Sequence, residues 1–142
     1  MTEPIRQGDI PGVQLRRRQA LSISPEEAWR WLSEPDRLAI WLARSAEVSE
    51  GELILENEGF RERGRTIEIV PSKLWVMAFE RLDSGWTSAT RLTLRVHPTP
   101  SGSEVDVLQD GFQRLPLSNC LTVWETYRHR WRDALQKLAE TA

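Results

Sequence analysis

The sequence contains a single cysteine, two histidines and one tyrosine in 142 residues. Cys120 alone excludes an intrachain disulfide, and with His97 and His129 it is too little for a structural zinc site or a Cys-His dyad. No metal or cofactor is expected. Nothing approaches the run of about 20 apolar residues that a membrane span requires, and the start lacks the pattern of a signal peptide. The chain is therefore expected to be cytoplasmic, with no membrane partner. Positive charge is not in excess either: Lys and Arg number 19 against 21 Asp and Glu, a formal net charge of -2. Duplex nucleic acid is not an expected partner, and the runs Arg16-Arg17-Arg18 and Arg61-Glu62-Arg63-Gly64-Arg65 read as solvated strand faces. Catalytic signatures are also missing: there is no nucleophile elbow, phosphate-binding glycine loop, metal triad or recognisably spaced carboxylate pair. No catalytic residue is assigned.

What the chain does have is seven tryptophans, at 29, 31, 41, 75, 86, 124 and 131. Side chains of that size need a deep apolar interior or a concave apolar wall, and the pattern is compatible with either. With 39% hydrophobic and 28% charged residues, the composition is that of one folded domain.

Residues 1–12 carry Pro4, Gly8, Pro11 and Gly12 without apolar periodicity and read as a flexible lead-in to a single domain over 13–142. Val13, Leu15, Leu21 and Ile23 alternate with polar neighbours as in a half-buried strand, a series that also contains Arg17 and Gln19. Ser24-Pro25-Glu26-Glu27 then signals a helix start, with Ser24 as N-cap, Pro25 at the first helical position and Glu27 completing a capping box. Ser33-Glu34-Pro35-Asp36 breaks the pattern, and Leu38, Trp41 and Leu42 restart it on a second short helix. Strand character follows over Ser45–Ser49, Glu52–Glu56, Arg63–Val70, Lys73–Leu82, Thr90–Val96 and Glu104–Asp110, separated by turn residues such as Glu50-Gly51 and Asp83-Ser84-Gly85. These spacings suit consecutive antiparallel hairpins.

From Pro116 to about Glu140, the residues Leu117, Leu121, Trp124, Arg128, Trp131, Leu135 and Leu138 advance by alternating fours and threes, with Cys120, Tyr127 and Ala134 beside them. A helix of that length spans about 37 Å at 1.5 Å per residue. Its apolar side must be covered, and only a curved antiparallel sheet of about seven strands is large enough. The expected fold class is α+β, a sheet gripping one long C-terminal helix with two short helices after the first strand.

This order resembles the START-like (SRPBCC, Bet v 1-like) helix-grip superfamily, and within it the activator of Hsp90 ATPase homologue 1-like (AHSA1-like) family. The residues that carry the resemblance are Ser24-Pro25-Glu26-Glu27-Ala28-Trp29, Pro35 to Trp41 (PDRLAIW), Gly64 to Pro71 (GRTIEIVP), Gly111-Phe112, and Trp131 to Leu135 (WRDAL). Together they cover roughly residues 13–140. The sequence departs from the family pattern at Ala28, at Phe79, in the short turn Glu50-Gly51, and at Arg130, where a glycine usually precedes the terminal tryptophan. The last two departures alter the rim of any cavity. The resemblance implies a space between helix and sheet that holds a small hydrophobic molecule, or else a surface that docks onto a chaperone such as Hsp90. Some START-like relatives are cyclases or hydratases, so it leaves catalysis open. Monomer and homodimer are both compatible with it.

Arg128 is the residue that most needs an explanation, because a guanidinium on a buried stripe costs several kcal/mol unless it is satisfied. It either snorkels along Leu121 and Trp131, pairs with an inward carboxylate such as Glu68 or Glu80, or faces a wet or ligand-filled cavity, with Gln19 as a neutral partner. On the cavity reading, Trp124, Tyr127 and Trp131 contribute from the helix. Trp75, Met77 and Phe79 alternate on one strand face, and Leu94 joins them from the next. Each of these is also compatible with plain core packing. Trp86, in its Asp-Ser-Gly-Trp loop, either folds back onto the sheet or forms an exposed patch with Arg81 and Arg91.

Overall fold

The computed structural model describes residues 13–142, apart from the side chain of Leu117; the lead-in expected over 1–12 lies outside the described residues. The strands are β1 Gln14–Leu21, β2 Ser45–Ser49, β3 Glu52–Asn57, β4 Phe60–Val70, β5 Leu74–Leu82, β6 Thr90–Thr99 and β7 Gly102–Asp110. They form one antiparallel sheet of seven in the order β1-β7-β6-β5-β4-β3-β2. The helices are α1 Pro25–Ser33 and α2 Pro35–Trp41, between β1 and β2, and the long α3 Leu117–Thr141, entered through a 3₁₀ turn at Phe112–Arg114. The expected helix-grip architecture is present.

Local chemistry explains most of the boundaries. Ser24 Oγ accepts the Glu27 N–H at 3.2 Å, and Pro25 occupies the first turn of α1. Only half of the expected capping box forms, because the Glu27 carboxylate pairs with Arg30 and Arg37 instead. The β2–β3 turn has φ of 50° at Glu50 and 76° at Gly51, positive values that match the twist of a two-residue hairpin. β4 begins at Phe60 rather than Arg63, three residues earlier than expected, and that extension brings Glu62 into the sheet.

Alternation along β4 sends Arg61, Arg63 and Arg65 to the outer face and Glu62 and Gly64 inward. Gly64 makes room for Met77: a Cβ there would stand 2.3 Å from Met77 Sδ, so the methionine would have to shift. On the outer face Arg61 pairs across strands with Glu56 at 3.2 Å and Arg91 with Asp110 at 3.2 Å, while Arg63 pairs with Glu80. The outward members of these runs form solvated strand faces, as expected, whereas Arg17, Glu62 and Gly64 point inward.

The buried face of α3 differs from the expected stripe. Cys120, Tyr127, Trp131, Ala134, Leu135 and Leu138 are buried, whereas Leu121 is 57% exposed and the Arg128 side chain 41% exposed. A strict alternation of fours and threes averages 3.5 residues per turn and drifts by about 20° per heptad on a straight helix. Cys120 and Leu138 are about five full turns apart and share one direction, while Arg128 lies about 80° away from it. The expected stripe therefore holds at the C-terminal end and leaves the core toward the N-terminal end.

The core closes around this face. Tyr127 packs edge-on against Phe79 and Trp86, with centroids 6.2 and 5.8 Å away, and Trp131 packs against Trp41 at 6.5 Å. Buried polar groups are relayed: Trp131 Nε1 donates to Gln109 at 2.9 Å, Gln109 Nε2 to Thr90 at 3.0 Å, and Thr90 Oγ1 to the Phe79 carbonyl at 2.8 Å. Such a chain leaves no buried donor among these groups unmatched.

Candidate functional site: a buried carboxylate beneath an arginine-lined groove

The inward alternation of β4 places Glu62 on the concave side, where it is 0% exposed. An isolated buried carboxylate would be prohibitively costly, and three donors converge on it. The Tyr127 hydroxyl and Arg130 Nη1, both from α3, donate to Glu62 Oε2, and Asn57 Nδ2 reaches Oε1 at 3.4 Å. Arg130 also donates through Nη2 to the Leu42 carbonyl at 3.3 Å, so both of its terminal nitrogens are engaged. Burial first, and then the neighbouring Glu62 charge, push the Tyr127 phenol well above its ordinary range.

Arg81 stands opposite Glu62 in the β4–β5 register. Its guanidinium lies 3.9 Å from the Phe60 centroid and 5.4 Å from that of Tyr127, and Arg130 stacks 5.5 Å from each of the same rings. Two cations therefore share two aromatic faces, an arrangement that the ring quadrupoles favour. Unlike Arg130, Arg81 has no carboxylate within ion-pair distance among the described residues, and its Nε–H is buried without an acceptor.

Above this cluster an open groove of about 560 Å³ runs between the β3–β4 hairpin, the end of β5, and helices α2 and α3. Its apolar wall is Trp41, Leu42, Phe60 and Ala134, and its charged groups are Arg81, Arg130, Asp133 and Lys137. A second groove of about 360 Å³ shares Asn57 and Phe60, so the Phe60 ring stands between the two. Among the described residues no group of three or more His, Cys, Asp or Glu is arranged to hold a metal ion.

Of the residues expected at a site, Tyr127 alone belongs to this cluster. Arg128 lies over the Trp124 ring at 5.0 Å and ends 3.4 Å from Glu125, a half-exposed position resembling the snorkelling reading. Neither Glu68 nor Glu80 is its partner: Glu80 pairs with Arg63 on the outer face, and Glu68 is exposed. Trp124 donates to the Gln14 carbonyl at 2.8 Å, Gln19 to its neighbour's carbonyl at 3.0 Å, and Leu121 faces solvent. Trp75, Met77, Phe79, Leu94 and Trp131 are all core residues, 0–2% exposed. Trp86 folds back onto Tyr127 and forms no exposed patch with Arg81 and Arg91. Glu62, Asn57 and Phe60 were not anticipated. The departure at Arg130 was a signal, and the period-two alternation through Arg61, Arg63 and Arg65 was another, since it turns Glu62 inward.

A curved seven-stranded antiparallel sheet wrapped around a long terminal helix, with a groove where the two part, defines a helix-grip domain. The model of the activator of Hsp90 ATPase homologue 1-like protein family matches residues 22–142, and the chain belongs to that family. Among solved structures, a protein of Chromobacterium violaceum is similar at 24% identity with a TM-score of 0.67, covering 90% of this chain and 95% of that one. The Aha1 dimer of Colwellia psychrerythraea gives 13% identity and a TM-score of 0.74 over 90% and 94% of the two chains. A protein from the dynemicin biosynthetic locus gives 16% and 0.75 over 92% of this chain and 47% of that one. At these identities the likeness establishes the fold. No curated protein matches the chain.

Proposed function

We propose that this chain is a cytosolic binding domain for a small, largely apolar molecule, taken up in the groove between the β3–β4 hairpin, β5, α2 and α3. The observation that supports this reading is an apolar wall of Trp41, Leu42 and Phe60 placed directly over a buried polar network, within a volume of about 560 Å³. Binding sites for small molecules combine such walls with a few convergent polar groups, in volumes of about 300–1,000 Å³. Tyr127 and Glu62 are both fully buried, so the members of that cluster that line the groove are the guanidiniums of Arg81 and Arg130, with Asn57. The site lies one helical face away from Arg128.

Native mass spectrometry of the purified protein, compared with its denatured mass, tests this. A discrete adduct lost on denaturation is expected, along with a rise in melting temperature for members of a hydrophobic ligand panel. Absence of both would end the reading.

A protein-interaction role is the second reading, favoured by a specific patch. Ile67, Ile69 and Val70 on β4 are 62%, 49% and 39% exposed, beside a bulge between Thr66 and Glu68. Exposed apolar residues of this kind suit a partner surface. The family description names an Hsp90 activator and the Colwellia relative is a dimer, so a chaperone or a second copy of the chain would be the partner. Retention of Hsp90, or a doubled mass in solution that Ile67→Asp abolishes, is the outcome this reading predicts.

A further inference from the structure

We infer that the groove selects a monoanionic amphipath, a molecule with one carboxylate on an apolar body, and that Arg81 is the residue that recognises the acid. This deepens the groove-binding reading and rests on it. The argument begins with charge. The cations at the groove are Arg81, Arg130 and Lys137, and the nearby carboxylates are Glu62 and Asp133. Glu62 is consumed by Arg130, and Asp133 is paired outward with Arg132 at 3.1 Å. Positive charge is left unmatched at the place where the apolar wall opens.

Arg81 is better suited than its neighbours to meet an anion. Arg130 has Nη1 on Glu62 and Nη2 on Leu42, so its charge is already matched by a buried carboxylate. Lys137 also lines the groove, but as a flexible ammonium it carries no fixed geometry. The Arg81 guanidinium lies over the Phe60 ring, 3.9 Å from its centroid, and has a buried Nε–H without an acceptor. A planar guanidinium presents paired N–H donors to the two oxygens of a carboxylate, which a point charge cannot match. Desolvation by the Phe60 and Tyr127 rings raises the value of that pairing, while the ligand's apolar portion lies against Trp41 and Leu42.

The test is calorimetric titration of the whole chain at neutral pH with three probes sharing one alkyl tail: decanoate, 1-decanol and decylammonium. Decanoate is expected to bind roughly tenfold or more tightly than decanol, the scale of one charge-assisted pairing, and decylammonium more weakly than either. Arg81→Met should bring the ratio of decanoate to decanol affinity down to about one. Arg81→Lys should restore part of the preference, and either variant's fold is checked by circular dichroism. Should Arg81→Met fail to fold, the wild-type preference and the Arg81→Lys variant decide. If decanol binds as well as decanoate, and both are lost in Thr126→Trp, which fills the groove from an exposed position, acid recognition is overturned while groove binding stands. If the preference survives Arg81→Met and disappears in Lys137→Met, the assignment to Arg81 is wrong. If none of the three probes binds, the groove reading fails and this inference fails with it.

Discussion

Among the described residues two carboxylates are almost completely buried, and their surroundings differ in a way that separates scaffold from site. Asp106, on the outer face of β7, is 2% exposed and is covered by Arg16 at 2.8 Å, Arg18 at 3.6 Å and His97 at 3.8 Å. Its cations stay half in water, the Arg16 and Arg18 side chains being 50% and 55% exposed. Glu62, on the inner face of β4, is 0% exposed and its cation, Arg130, only 16%. On the outer face, loss of the carboxylate releases arginines that can rehydrate. On the inner face it strands a guanidinium and a phenol in the protein. The comparison teaches that the degree of burial of an acid says less about its role than the freedom of its partners does.

The sharpest way to break this comparison is Glu62→Leu, expected to cost about 3–5 kcal/mol because Arg130 would be left buried and unpaired. The double variant Glu62→Leu with Arg130→Met should recover much of that loss, and urea unfolding measures both. If the single variant is as stable as the parent, the Glu62–Arg130 pair does not hold the inner face together.

Next in size is Tyr127→Phe, expected to cost about 1–3 kcal/mol by leaving one Glu62 oxygen short of a donor. It should also change the alkaline limb of stability. The folded Tyr127 pKa is raised above its unfolded value of 10.0, so its contribution is fully present below pH 10 and is lost as pH climbs beyond it. Thermal melts in alkaline buffers should show the parent losing stability there more steeply than Tyr127→Phe.

Asp106→Asn is expected to cost less, about 1 kcal/mol, since the outer arginines regain water. Its signature is at acid pH. Burial raises the Asp106 pKa, but hydrogen bonding and charge from Arg16, with Arg18 and His97, more than offset this and hold it below 3.8. The folded pKa is thus depressed: the contribution is present above the unfolded value and is lost as pH falls through the folded one. Acid titration of unfolding should be flatter in Asp106→Asn. The smallest effect belongs to Arg128→Leu, within about 0.5 kcal/mol as for other surface positions. A large loss in that variant would restore Arg128 to the buried face.

Much of the fold was legible because periodicity and turn chemistry act locally. Ser24-Pro25 set the start of α1, Glu50-Gly51 set a hairpin, and alternation set the inward faces of β5 and β6. The α3 stripe was legible only in its second half, since an alternation of 3.5 and a helix of 3.6 residues per turn diverge with length. The site was harder to read. Arg61-Glu62-Arg63-Gly64-Arg65 looks like a charge run, and which of its members turns inward depends on register. Arg81 and Arg130 are far apart in the chain and share the Phe60 and Tyr127 rings only once β4, β5 and α3 are assembled.

The sequence by itself determined the element order, the alternation that turns arginines to the outer strand faces and the aromatic character of the core, because each follows from residue type and spacing along one segment. Only the tertiary structure decided which arginine is buried, which acid it meets and where the groove opens. Those depend on the rotation of α3 over the sheet and the register of β4 against β5, and no short stretch of chain encodes either one.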